Sequence, residues 1–145
     1  MITPLDIRVS AFGLLRQAYP KYKVYGNEVK ECFSKPSFFV SVMPVANSNE
    51  SVNFKFYSYS IIITYFQAKA DEIDSLNKVA EIEKLFGYQM PVKDRLINVT
   101  DCGYDFAGEH KNILQITVDI EFYDDIDKKD NSKIADKLYL NQEKR

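Results

Sequence analysis

The chain has 145 residues, of which 46% are hydrophobic and 28% are charged, values that are typical of a globular domain able to fold without disulfides or metals. Its 19 basic and 21 acidic side chains give a formal net charge of -2, which argues against a protein that binds nucleic acid by charge. No apolar run approaches the roughly 20 residues of a membrane span, and the first ten residues lack the pattern of a signal peptide.

The first predicted element is a helix that begins at Pro4 and ends before Pro20. Thr3 can cap its amino terminus, and Asp6 stands three residues after the cap, where a carboxylate satisfies free backbone amides. The apolar residues form two neighbouring stripes, and we expect both to lie on a sheet. The stripes are Leu5, Val9, Phe12, Leu15 and Ile7, Ala11, Leu14, Ala18.

Two strands follow in the prediction, a short one at residues 22–25 and a longer one that starts after Pro36. The longer strand is expected to end at Pro44, since proline cannot donate a backbone hydrogen bond. Phe38 and Phe39 place aromatic rings on both of its faces, which is typical of a strand covered on both sides.

The polar residues 45–53 predict a loop, and residues 54–66 form the longest extended segment of the chain. Its second half is apolar on both faces and is predicted to be a central strand. Its first half is rich in aromatic residues and is predicted to project as a ribbon that contacts another subunit. A strand bent by a bulge within one domain is the alternative.

A second helix is predicted between Asp71 and Gly87, with its charged residues in solvent. Its apolar residues are expected to face the core: Ile73, Leu76, Ala80 and Phe86, with Val79, Ile82 and Leu85 beside them. A short edge strand is predicted at residues 90–92. Residues 95–106 and 112–123 then predict a hairpin, and the alternation from Leu114 to Phe122 predicts one buried face.

These elements predict an α+β fold with one mostly antiparallel or mixed sheet of four to six strands and both helices on one face. The other face would then need cover from a neighbouring subunit. We assign residues 1–123 to this domain and residues 124–145 to a charged carboxyl-terminal extension, either flexible or a short helix.

No catalytic residue, metal site or cofactor site is predicted, so we expect a protein that is not an enzyme. His110, the single histidine, falls in a predicted turn. Cys32 and Cys102 lie in no metal-binding or redox motif and are expected to be reduced. The acidic residues after residue 124 depart from the EF-hand pattern at several positions.

One combination of residues resembles the signature of a known family. It consists of Val24-Tyr25-Gly26-Asn27-Glu28-Val29-Lys30, then Phe33, Pro36-Ser37-Phe38-Phe39-Val40 and Pro44. This combination is similar to that of small tail terminator proteins from phages and phage-derived elements of Gram-positive bacteria. The resemblance extends in arrangement from the first helix to about Tyr123, and the extension after it is a departure.

The resemblance implies a structural virion protein with a tail-terminator-like fold, assembled in the bacterial host cytoplasm and located in the tail or neck. It implies a ring, usually hexameric, that caps the head-proximal end of the tail tube, stops its polymerisation and forms the joint to the head. The implied partners are further copies of the chain, the tail tube protein, a neck or head-joining protein and, in a contractile tail, the sheath protein. Neither a membrane nor sequence-specific nucleic acid is implied, although DNA passes through such a ring. A headless, bacteriocin-like particle needs the same cap.

The residues that we predict at subunit or partner interfaces combine signature positions, the ribbon and one hairpin turn. They are Tyr25, Glu28, Lys30, Phe33, Phe39, Phe54, Phe56, Tyr57, Tyr59 and His110. Glu28 and Lys30 are candidates for ion pairs between subunits, and loops 46–53 and 107–111 are expected to face the tube or the head.

Three alternatives remain open at this point. The first is another neck component, such as a head-tail joining or tail completion protein. The second is a small metal-dependent hydrolase that uses the acidic residues around Asp101 and Asp124. The third is a ligand-binding module that uses the aromatic surface, which predicts a stable monomer with a preformed pocket.

Overall fold

The computed structural model describes residues 2–26, 35–108 and 113–125. The elements in chain order are α1 (Pro4–Ala18), β1 (Lys23–Tyr25), β2 (Ser37–Asn49), β3 (Phe54–Phe66), α2 (Glu72–Phe86), β4 (Gln89–Val92), β5 (Arg95–Ala107) and β6 (Ile113–Asp125). The strands form one sheet in the order β1-β2-β3-β6-β5-β4, in which only the β1–β2 pair is parallel. Because α1 contacts both β2 and β4, which lie towards opposite ends of that order, the sheet curls. The predicted α+β class and mixed sheet are confirmed.

Both helices begin where the sequence predicts. The Thr3 hydroxyl accepts from the Asp6 amide at 3.2 Å, and the Asp6 carboxylate accepts from the Thr3 amide at 2.8 Å. The hydrogen bond from the Thr3 backbone and then the one from Lys93 lower the pKa of Asp6. Asp71 caps α2 by accepting from the Ile73 amide at 3.0 Å. The predicted helix starts are therefore confirmed.

The prediction that Pro44 ends the second strand is wrong, because β2 continues through it to Asn49. Among the described residues, β1 pairs with β2 only at residues 37–39. No described strand therefore lies beside Pro44 on the β1 side of β2, and the amide hydrogen that proline lacks is not needed there. The β2–β3 register shifts between Pro44 and Ala46, a bulge of the kind that accommodates proline in an edge strand. The predicted loop at residues 45–53 shortens to residues 50–53.

β3 pairs along its whole length, with β2 on one side and β6 on the other. Its first half therefore does not project as a lone ribbon, since it is the middle strand of three. β6 extends through Asp124 and Asp125, which the prediction assigned to the extension. Residues 126–145 lie outside the described part of the chain.

The core lies against one face of the sheet, where alternate residues of the strands are buried. These residues are Phe38, Val40, Tyr59, Ile61, Ile63, Tyr65, Leu114, Ile116, Val118, Ile120 and Phe122. α1 contributes Ile7, Ala11 and Leu15 to the same cluster, and α2 contributes Ile82 and Phe86. The predicted alternation of β6 is confirmed at every one of its five apolar positions.

Part of the predicted core of each helix is wrong. Leu5 and Val9 on α1 are each 63% exposed, and Ile73 and Leu76 on α2 are 72% and 54% exposed. The buried stripe of α1 is Ile7, Ala11 and Leu15, which combines members of both predicted stripes, and Phe12 and Leu14 are partly buried beside it. The rest of the helix faces solvent, because a helix packed on a sheet buries only one side.

Polar contacts from the end of β3 set the rotation of α2. The Gln67 side-chain amide donates to the Ser75 hydroxyl at 2.8 Å, and the Tyr65 hydroxyl donates to Asp74 at 2.6 Å. Ser75 thus faces inward, and the neighbouring positions Ile73 and Leu76 face outward.

A lysine cage, formed by Lys78 and the rings of Tyr19, Tyr22 and Tyr65, connects α2 to the rest of the core. The ammonium of Lys78 lies 5.2, 5.2 and 5.5 Å from the three ring centroids and 3.1 Å from a carboxylate oxygen of Asp74. Only 6% of Lys78 is exposed, so the prediction that the charged residues of this helix lie in solvent is wrong for Lys78. The faces of aromatic rings carry negative potential, which attracts the ammonium and offsets the free-energy cost of removing it from water.

The cage predicts that stability falls at high pH. Burial opposes the charged form of Lys78, but hydrogen bonds with Asp74 and Tyr22 outweigh it and raise the pKa above its usual 10.5. Burial and then the hydrogen bond to Asp74 raise the pKa of Tyr65. The unfolded chain therefore releases these protons before the folded chain does. The contribution of both groups is complete below about pH 10 and is lost as the pH rises above it.

Urea unfolding between about pH 8 and pH 11 measures this decline, and the Lys78→Met variant should show a shallower one because it lacks the lysine contribution. A free energy of unfolding that stays constant up to about pH 11 would contradict the prediction.

A carboxylate clasp joins the start of the described chain to the end of β6. Asp124, which is 6% exposed, accepts from the backbone amide of Ile2 at 2.6 Å and from the guanidinium of Arg95 at 3.3 Å. Ile2 is itself 3% exposed. The clasp therefore holds residues that are 122 positions apart in the sequence.

We expect Asp124→Ala to lower the free energy of unfolding by about 2 kcal/mol, because the buried amide of Ile2 loses its acceptor. Chemical denaturation measures the change. Asp125→Ala is the matched control, since that side chain is exposed at the next position, and its effect should stay within about 0.5 kcal/mol. Equal losses for the two variants would show that the clasp contributes nothing.

Candidate assembly surface

The side of the sheet opposite the core is called here the open face. It carries the even-numbered residues of β3 and the odd-numbered residues of β6, which are half-buried or exposed. Its middle is mixed in character: Ile62 pairs with Thr117, and the Ser60 hydroxyl donates to Asp119 at 2.6 Å. Aromatic side chains concentrate towards its two ends.

The first concentration, called the signature patch, consists of Tyr25, Phe39 and Phe66. The ring centroids of Tyr25 and Phe39 are 5.2 Å apart, and those of Phe39 and Phe66 are also 5.2 Å apart. β1 and β2 are parallel neighbours here, so Tyr25 and Phe39 are direct cross-strand partners. The structure thus brings together two of the residues that the sequence predicted at an interface.

The second concentration, called the ribbon patch, consists of Phe54, Phe56, Leu96 and Tyr123. Phe54, Tyr123 and Leu96 are 48%, 56% and 63% exposed, and the rings of Phe56 and Tyr123 are 5.2 Å apart. A groove of about 300 Å³ runs across this patch. Its described lining is Phe56, Arg95, Leu96, Asn98, Thr100, Glu121, Phe122 and Tyr123.

Sequence reasoning missed Leu96 and Tyr123 because neither lies in an aromatic-rich run that marks it as exposed, and each is adjacent to an apolar residue of the core, Ile97 or Phe122. These residues could have been found only from the strand register that pairs Phe56 with Tyr123, and a local sequence pattern does not determine that register.

The other two predicted ribbon residues point to the core side. Tyr57 and Tyr59 stack on Phe122, with centroid distances of 5.3 and 5.8 Å, and Tyr59 is only 5% exposed. Burial raises the pKa of Tyr59. Phe54 and Phe56 are therefore the members of the predicted ribbon that reach the open face. The predictions for Glu28, Lys30, Phe33 and His110 fall outside the described residues.

The acidic residues named for a hydrolase do not converge in the described part of the chain. No group of three or more His, Cys, Asp or Glu side chains there has the geometry to hold a metal ion. Asp124 is engaged in the clasp, and Asp101 accepts from the amide of Cys102 at 2.9 Å. Burial raises the pKa of the Cys102 thiol, which disfavours the reactive thiolate. None of the helices in the described ranges is long and apolar enough to cross a membrane.

A family model described as "Phage tail terminator protein" matches residues 6–133, most of the chain. The chain belongs to the phage tail terminator family. As a member of this family it is a structural protein of the phage tail, located in the virion. The matched range includes α1 except its first two residues, α2, the six described strands and the first residues beyond β6.

The fold of this tail terminator protein also occurs in solved structures. One such protein superposes with a TM-score of 0.51 over 88% of this chain and 98% of its own length. The two sequences are 15% identical, so the likeness concerns the fold alone. No curated protein sequence matches the chain significantly.

Proposed function

We propose that this tail terminator protein forms a ring, most simply a hexamer, that caps the head-proximal end of the tail tube and stops its polymerisation. The ribbon patch is the observation that carries this proposal, because it exposes three large apolar side chains next to one another on a sheet face. Interface cores are enriched in aromatic residues, and a contiguous exposed patch of this kind is typical of a protein that assembles. The tail-terminator-like arrangement, with helices on the core side and the open face towards partners, belongs to the same proposal.

The partners we propose are further copies of the chain around the ring, the tail tube protein on one side and a neck or head-joining protein on the other. Small contacts suffice for this task, because identical contacts made together by all subunits give high avidity. The ring is assembled in the host cytoplasm and leaves an opening for DNA. In a contractile tail its outer edge also meets the sheath, and a headless particle uses the same cap.

Electron microscopy of particles made without this protein tests the proposed function. Tubes of variable and excessive length are expected, because nothing then stops the addition of tube subunits. Tubes of normal length without heads would assign the protein to the neck as a joining or completion protein. Normal infectious particles would overturn a role in assembly.

At the level of single residues, Tyr123→Asp is expected to abolish the ring without unfolding the subunit. Tyr123 is 56% exposed, so an aspartate at this position should hardly change the stability of the free subunit. In an interface from which water is excluded, the same carboxylate would be buried without a partner, which is strongly unfavourable. Native mass spectrometry reports the ring, and thermal unfolding reports the fold. Lys69→Asp is the control, since it places the same carboxylate at an exposed position outside both patches and both helices. An intact Tyr123→Asp ring would exclude the ribbon patch from the subunit contact.

A further inference from the structure

Each helix exposes an apolar stripe to solvent. The α1 stripe consists of the exposed Leu5 and Val9 and the half-buried Phe12, with Arg8 and Arg16. The α2 stripe consists of the exposed Ile73, Leu76 and Ala80, with Glu72 and Glu83. The most exposed apolar members of each are the residues whose burial the sequence predicted wrongly. Neither stripe belongs to the open face.

The α1 stripe is an apolar groove with a basic rim. The guanidinium groups of Arg8 and Arg16 lie 4.9 and 5.3 Å from the ring centroid of Phe12, one from each side along the helix. A depression of about 270 Å³ is lined by these three residues together with Leu5 and Val9. Such a surface favours a partner that offers apolar side chains flanked by carboxylates.

The α2 stripe has that composition. Ile73, Leu76 and Ala80 follow one another at helical spacing on the side away from the buried Ile82. Glu72 and Glu83 stand four residues before and seven residues after Leu76, which places both along one border of the stripe.

The charge of α2 as a whole is also acidic. The helix carries four carboxylates and two lysines, and one of the lysines is the buried Lys78. The other, Lys84, lies four residues after Ala80 on the same side of the helix and borders the carboxyl-terminal end of the stripe, about three turns from Ile73.

We propose that the α1 stripe of one subunit packs against the α2 stripe of the next, with Arg8 and Arg16 facing Glu72 and Glu83. Contact between like stripes would place arginines on arginines or carboxylates on carboxylates, which is unfavourable, whereas contact between unlike stripes pairs opposite charges. A contact between two different surfaces repeats in one direction from subunit to subunit, and it closes into a ring when the rotation permits.

This inference rests on the proposed ring and names the surfaces that meet in it. One helix-to-helix contact covers less than the roughly 800 Å² per partner of a standard interface. Ring closure compensates, because every subunit then uses both of its stripes at once.

Charge reversal in the full chain tests the pairing. Arg8→Glu/Arg16→Glu is expected to raise the protein concentration needed for ring assembly at least about tenfold, and Glu72→Lys/Glu83→Lys should do the same, because each creates like-charge contacts. The four substitutions together should restore assembly to within about threefold, since the pairs are re-formed with opposite sign. Sedimentation velocity over a concentration series measures each value.

Two controls separate the contact from other effects. Lys69→Glu makes the same charge reversal at an exposed position outside both stripes, and it should leave assembly unchanged. Val9→Asp should disrupt assembly without lowering the thermal midpoint of the free subunit, because Val9 is exposed.

The outcomes are distinguishable from those of the proposed function. A ring that tolerates both double reversals overturns the stripe pairing and leaves the ring itself standing. Disruption without rescue in the fourfold variant also overturns the pairing, because each stripe then contacts some other surface. A wild-type chain that stays monomeric at every concentration, alone and with tail tubes, contradicts the ring.

Discussion

Replacement of Ile63 by alanine is expected to lower the free energy of unfolding by about 3 kcal/mol. Ile63 lies in the middle of β3, is fully buried and pairs with Val40 on one side and Ile116 on the other. Both neighbours are buried as well, so the space that the larger side chain leaves cannot be filled by a small movement.

Ile62→Ala is the matched control, because it makes the same change at the next residue of the same strand. Ile62 is half-buried on the open face, and in the dilute free subunit its loss should be about 1 kcal/mol. Urea denaturation of the two variants measures the difference. Equal losses would mean that the two faces of β3 are equally covered in the free subunit and would contradict the open face.

The second large effect is expected at Lys78. Lys78→Ala should destabilise the subunit by about 3 kcal/mol, because it removes the buried stem of the lysine and the positive charge that accompanies Asp74. Asp74 loses its salt bridge to the lysine but keeps its hydrogen bonds from Tyr65 and Gln67. The carboxylate therefore still has two donors. Lys78→Met restores the apolar stem and should lose clearly less.

Lys84→Ala is the control for the lysine cage, since Lys84 is exposed on the same helix and its change should stay within about 0.5 kcal/mol. Chemical denaturation at neutral pH gives all three values. A Lys78→Ala variant as stable as Lys84→Ala would show that the aromatic rings and Asp74 gain nothing from the cation.

The strands could be predicted well from the sequence because their pattern is local. β6 alternates apolar and polar residues from Leu114 to Phe122, and β3 has no breaker between Phe54 and Phe66. Pro44 was misread because its effect depends on whether a neighbouring strand needs its amide, which is a property of the sheet rather than of the residue.

The rotation of the helices could not be predicted in the same way. α1 is apolar on so much of its circumference that the sequence does not fix which side is buried, and the sheet selects Ile7 and Ala11 from one predicted stripe and Leu15 from the other. For α2, the inward direction of Ser75 and Lys78 depends on partners on other elements, such as Gln67 and Tyr22. The apolar residues whose burial was predicted wrongly, Leu5, Val9, Ile73 and Leu76, are the ones that the proposed stripe pairing uses.

The composition of the two aromatic patches could be predicted only in part, for a related reason. Tyr25, Phe39, Phe54 and Phe56 were found because they lie in aromatic-rich stretches, whereas Leu96 and Tyr123 become neighbours of Phe56 only through the long-range register. Tyr57 and Tyr59 belong to the same aromatic-rich run as Phe54 and Phe56. Successive side chains of a strand point to opposite faces, so the run as a whole does not form one surface.

The strand order also governs how the chain is completed during synthesis. β6, the last strand, lies between β3 and β5, so both must wait for it before their ladders are complete. Until residues 113–125 leave the ribosome, the edge of β3 that carries Ile61 and Ile63 has no native partner, and a free apolar edge favours aggregation. Premature termination anywhere before β6 therefore removes the middle of the sheet rather than its margin, and such fragments are expected to depend on chaperones or to be degraded.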